Sequence, residues 1–151
     1  MKKTFKIILN TIYAVVVLYL SLFIIISLAM PGKTTKYLGF GWYKVASGSM
    51  EPMIMTEDVI VAYKVLNPYE LKDGDVILFE TYIYVNGSYQ RKIVTHHFSH
   101  ITEEGYVITY PHREFEKNKE DRIYDHFKMN DNEEYHVTIN DIIGKLWFIL
   151  P

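Results

Sequence analysis

The sequence predicts a mainly β outer domain carried on one N-terminal transmembrane helix. Three observations lead there: an uncharged apolar run over residues 7–30, a series of short stretches dense in β-branched and aromatic residues after it, and turn residues between those stretches.

The run "IILNTIYAVVVLYLSLFIIISLAM" at 7–30 holds no charged side chain and suffices to cross a hydrocarbon core roughly 30 Å thick as a helix. Lys2, Lys3 and Lys6 precede it with no acid among them. The positive-inside bias therefore predicts a single-pass cell-membrane protein, with residues 1–6 cytoplasmic, 7–30 a signal anchor in the bilayer, and 31–151 extracytoplasmic. A cleavable secretory leader is the competing reading, since Ser27-Leu28-Ala29 offers small residues for a cut. The apolar run exceeds the roughly 7–15 residues of a leader, which favours the anchor. Pro31-Gly32 is expected to end the helix in either case.

Residues 33–44 read as a polar and aromatic connector. Strands are expected at "EDVIVAYKV" (57–65) and "GDVILF" (74–79), separated by Asn67-Pro68 and Asp73-Gly74. Asn86-Gly87 is a strong hairpin signal between "TYIYV" and "SYQRKIVTHHF". Further strands are expected at "GYVITY", "YHVTI" and the terminal "IIGKLWFIL". Residues 111–134 are rich in charge and poor in aliphatic residues, so they predict an excursion outside the sheet. The chain has no cysteine and must fold without disulfides. Its net charge of −2, with no basic stripe, argues against a nucleic-acid partner. The 13 tyrosines suit half-buried sheet faces, and Met50, Met53, Ile54 and Met55 offer apolar surface for the bilayer interface.

A serine turns nucleophile when a base takes its proton and donors receive the developing oxyanion. Ser47-Gly48-Ser49 offers such a loop: glycine lets the backbone turn, the Ser49 amide and Ser47 hydroxyl are candidate donors, and Pro52 stiffens the exit. The same three residues also describe a solvated turn. Base candidates cluster in "IVTHHFSH" as His96, His97 and His100, of which His96 and His97 face opposite ways on a strand. On a helix, His96 and His100 would instead stand together as metal ligands, but "KIVTHHF" has strand character and no third ligand is well placed, so no metal or other cofactor is expected. Lys92 is a further candidate base, with Arg91 beside it suggesting a solvated pair.

"SGSMEP" (47–52), "LKDGDVILF" (71–79), "IVTH" (93–96) and "DIIGKLWFILP" (141–151) resemble, in order and spacing, the blocks of type I signal peptidases. The resemblance covers the anchor and nearly all of the outer domain. It implies a β-barrel or sandwich and a membrane-anchored serine endopeptidase that cuts leader peptides from exported preproteins, with accessory subunits left open. It implies Ser49 as nucleophile, Ser47 and the Ser49 amide as oxyanion hole, Met50 packing beneath the substrate and Pro52 fixing the turn. His96 stands where most bacterial members carry lysine, so the chain resembles the histidine branch of endoplasmic-reticulum, archaeal and some Gram-positive enzymes. Two departures from that pattern occur: His97 replaces the usual arginine after the base, and Thr109 is followed by Tyr110-Pro111-His112 where the branch has Lys-Gly-Asp. The first aspartate thus lacks a counterpart, and "EDRIY" (120–124) makes Asp121 the candidate for orienting His96, with Asp125 in reserve. The missing aspartate also motivates an alternative, a binding or assembly domain that keeps the scaffold without catalysis.

Overall fold

The computed structural model describes residues 2–30 and 32–150; Pro31, expected to help end the first helix, lies outside them. Helix α1 (Lys2–Ala29) exposes Leu9, Ile12, Leu18, Ile24 and Ile25 along its length. It is long and apolar enough to cross a membrane, with little protein cover of its own. The exception lies toward its C-terminal end. There Phe23 is buried, with its ring 5.3 Å from that of Phe40 and 4.8 Å from that of Trp42, and the Tyr19 hydroxyl donates to the Leu38 carbonyl at 3.1 Å.

The connector at 33–44 is more ordered than its polarity suggests. It forms α2 (Thr34–Leu38) and β1 (Phe40–Lys44), joined at Gly39, whose φ of 89° supplies the left-handed cap that ends α2. The main chain then builds β2 (Val59–Tyr63), β3 (Val76–Val85), β4 (Ser88–Ile101), β5 (Val107–Tyr110), β6 (Phe127–Asn130), β7 (Glu133–Tyr135) and β8 (Ile142–Leu150). Six strands make one antiparallel sheet in the order β1-β2-β8-β3-β4-β5, and β6 with β7 forms a separate ribbon. The sheet stays open, with β1 and β5 at its edges, so the barrel expected from the resemblance does not close.

Strand β3 explains the unbroken apolar run "VILF". Alternate side chains of a strand point to opposite faces, and both faces are covered here. Val76 and Leu78 join Met50, Ile54, Ile60, Ala62 and Ile143, while Ile77 and Phe79 join Phe98, Val107 and Val137. Each such side chain contributes about 1.5–3 kcal/mol by leaving water. Asn86 and Gly87 take φ of 51° and 83°, the pair of left-handed residues that a two-residue hairpin needs, and they close β3 onto β4.

The expected strand at "YHVTI" largely fails. Only Tyr135 lies in a strand; Thr138 and Asp141 instead form a reciprocal cap on a short 3-10 turn, with Asp141 Oδ2 accepting from the Thr138 amide and hydroxyl, each at 2.9 Å. Residues 111–134 do run outside the main sheet, as 3-10 turns followed by the ribbon. Of the four residues assigned to an interfacial surface, Met50 and Ile54 are core, and only Met53 and Met55 remain exposed.

Candidate active site

The nucleophile candidate sits on a single 3-10 turn, Gly48–Met50, pinned from below by Met50, which is 1% exposed. Ser49 itself is exposed, and its Oγ lies 3.5 Å from Ser47 Oγ. Among the described residues the Ser49 amide has no protein acceptor, which leaves it free to donate to a bound oxygen. Gly48 serves here by its small size. A Cβ at that position would come within 2.9–3.0 Å of the Glu51 carboxyl group, whose Oε1 accepts from the Thr56 hydroxyl at 2.9 Å and braces the next bend. The Glu51–Pro52 peptide bond is cis.

The base candidate is held quite differently. His96 is 8% exposed on β4, and its Nδ1 donates to Asp125 Oδ2 at 2.7 Å. The same oxygen accepts from the Thr109 hydroxyl at 2.6 Å, and the Asp125 amide donates back to the Thr109 carbonyl at 2.9 Å. A carboxylate can only accept, so the proton of neutral His96 resides on Nδ1 and the lone pair on Nε2. Nε2 has no hydrogen-bond partner among the described residues and is not among the buried orphan atoms, so it remains reachable.

Asp121 is therefore not the residue that orients His96. It is exposed on a 3-10 turn at Lys119–Asp121, and the reserve residue Asp125 makes the contact. The reason is that Glu114, 2% exposed, gathers the excursion by accepting from the Ile123 amide at 2.9 Å and from Lys117. This leaves Asp121 on the outer rim and returns the chain to the sheet at Asp125. The Lys117 hydrogen bond, then that of Ile123, hold the Glu114 carboxyl below the usual carboxylate range.

His97 faces the other way and cannot replace His96 as base, because both its nitrogens are engaged: Nδ1 with the Gly74 carbonyl and Nε2 with His112 Nδ1, each at 2.9 Å. Burial pushes its pKa down, against the opposing pull of the Gly74 carbonyl. His96 and His100 lie on a strand, not on the helix a paired metal site needs, and His100 Nδ1 meets Ser99 Oγ. No cluster of three metal-ligating side chains occurs among the described residues. Thr109 as the brace of Asp125, and the His97–His112 pair, are features that sequence reasoning did not single out.

A cleft of about 940 Å³ adjoins Ser49, walled by Val45, Met50, Ile54, Ile83, Ile93 and Thr95 and reaching Gly32 and Trp42 near the end of α1. Met50 lines it as expected; Pro52 does not, being exposed just outside it. Lys92 lines it as an exposed amine on β4. The Gly48–Met50 turn approaches β4 within 8 Å between Cα atoms, but His96 does not line the cleft: it pairs with Ile77, on the sheet face opposite Val76, Leu78 and Met50, and no hydrogen bond joins it to Ser49 among the described residues. The arrangement offers a hydroxyl beside a free amide, an imidazole with a bound carboxylate behind it, and a mostly apolar trough between the turn and the helix end. No protein-family model matches the chain, and no curated protein matches it significantly.

Proposed function

We propose that the protein is a membrane-anchored serine endopeptidase of signal-peptidase type that cleaves leader peptides from exported preproteins at the outer membrane surface. The observation that supports it most is the wiring of His96: Nδ1 is fixed by Asp125 and its brace Thr109, and Nε2 has no partner among the described residues. In the proposed reaction His96 Nε2 takes the Ser49 proton as Oγ attacks the scissile carbonyl. The tetrahedral oxyanion is received by the Ser49 amide and the Ser47 hydroxyl, and His96 returns the proton to the leaving amine. Water then repeats the cycle on the acyl-enzyme. Asp125 keeps the ring in the competent tautomer and stabilises the imidazolium that forms. The apolar cleft running toward Gly32 and Trp42 suits an extended segment with small side chains, paired along its backbone and emerging beside the anchor. Tethering in the same bilayer raises the effective concentration of such a substrate.

Reconstitution of the full chain in lipid vesicles with a leader-bearing precursor tests the reading. Cleavage by the native chain and none by Ser49→Ala is the expected result. Equal processing by both would overturn it, and binding of the precursor without cleavage by either would favour the alternative of a non-catalytic binding or assembly domain.

A further inference from the structure

Two of the residues at which the chain departs from the histidine-branch pattern, His97 and His112, are bonded to each other. His97 donates from Nδ1 to the Gly74 carbonyl, so in its neutral form Nε2 is an acceptor, and His112 Nδ1–H donates to it at 2.9 Å. His97 is 1% exposed and stacks on Phe115 at 4.5 Å and Tyr110 at 5.3 Å between ring centroids. The charged and titratable groups that act on it are His112, Arg122, its chain neighbour His96 across the strand and, in the Tyr110 stack, a phenol pushed up to about 12, chiefly by burial.

His112 opens the strap that Asp125 closes. Within it, Glu114 binds the Ile123 amide and Lys117, while Arg122 spans the Phe115 and Lys117 carbonyls and reaches Asp73 at 2.7 Å. The strap is thus bonded within itself and fastened to the sheet at both ends, by His112 to His97 and by Asp125 to His96 and Thr109. Its first turn, His112–Glu114, also approaches the Gly48–Met50 turn within 8 Å between Cα atoms. None of its residues lines the cleft.

We propose that His97 and His112 are positioning residues: their imidazole pair clasps the strap to β4, holding Asp125 behind His96 and the His112–Glu114 turn beside Ser49. The clasp rests on the peptidase reading for its kinetic consequence, and its geometry stands apart from that reading. One proton on the pair preserves it, since either His112 Nδ1 donates to His97 Nε2 or the reverse; only protonation of both rings, which sets two donors face to face, opens it.

The test uses the full chain in lipid nanodiscs and two substitutions at one position. Asparagine places its amide nitrogen about where the Nδ1 of histidine lies, so His112→Asn keeps the donor without a titrating group; His112→Leu keeps bulk and loses the donor. His112→Leu is expected to lower kcat on the order of 10- to 100-fold through misalignment. KM should stay within about 2-fold because the strap does not touch the cleft, and His112→Asn should restore kcat. Independently of turnover, the imidazole N–H proton between His96 and Asp125 is expected in the NMR spectrum of the native chain and His112→Asn, and to be lost in His112→Leu. A native kcat and an intact resonance in His112→Leu would overturn the clasp, as would equal loss in both variants. If Ser49→Ala cleaves as well as the native chain, the peptidase reading falls while the resonance still decides the clasp.

Discussion

The two halves of the candidate site are built to different standards. Ser49 is exposed on one 3-10 turn, and among the described residues its Oγ has only Ser47 at 3.5 Å. His96 is nearly sealed and tied through Asp125 to Thr109 by bonds of 2.7 and 2.6 Å. In the proposed reaction the base is therefore aligned before anything binds, whereas the hydroxyl would depend on a substrate in the cleft to bring its turn into line, as catalytic hydrogen bonds commonly shorten when such a site fills.

The largest effects should come from removing either half. Ser49→Ala and His96→Ala are each expected to lower kcat/KM for precursor cleavage by about 10³-fold or more, and the double variant should lose little beyond either single one, since the two act as a unit. A double variant with additive losses would show the two halves working separately. Asp125→Asn should follow, with a fall on the order of 10³-fold as the ring loses its fixed tautomer, while Asp121→Asn leaves the rate unchanged. Measuring the two side by side sharpens the assignment, because the reverse order would put the orienting carboxylate on the outer turn. Ser47→Ala should cost about 10²-fold in kcat as one oxyanion donor is lost, with KM nearly constant.

Smaller effects concern pH. Neutral imidazole is the competent base, so the rate should climb from about pH 5 to about pH 8, across the range where imidazoles ordinarily titrate, and a flat profile would speak against His96. His97 affects stability. Its pKa is lowered in the fold, so the unfolded chain binds its proton first; the His97 contribution is whole above the ordinary value of 6.5 and drains away as pH falls below it toward the lowered value. A scan of Tm against pH should show that decline, and His97→Asn should flatten it.

Features carried by local pattern were legible in the sequence. The uncharged run specified α1, the run "VILF" after the Asp73-Gly74 turn marked β3, whose two faces both prove buried, and Asn86-Gly87 closed the hairpin because only left-handed residues fit that turn. Ser47, Ser49, Met50 and His96 fall in short motifs; the first three line one cleft, while His96 lies on β4 outside its lining. Asp125 was harder to identify, since several carboxylates crowd residues 114–125 with no periodicity to rank them. The choice is made by the long-range closure of Glu114 on Ile123, which no neighbouring residue announces. "YHVTI" misled because its β-branched residues promise a strand, whereas Asp141 takes the Thr138 amide and hydroxyl and turns the chain. Pro52 misled in a simpler way: it sits next to the motif in sequence and outside the cleft in space.

The seam where Tyr19 and Phe23 lock onto Leu38, Phe40 and Trp42 has a mechanical consequence. Tyr19 lies ten residues before Ala29, so the sheet is gripped about 15 Å below the end of the helix, as counted along its axis. A domain fastened that way cannot sway on a leash or rise to meet a distant target. On the proposed peptidase reading, the serine turn would ride at one altitude over the lipid, and a peptide bond to be cut would have to be delivered to that altitude by the target's own length of chain.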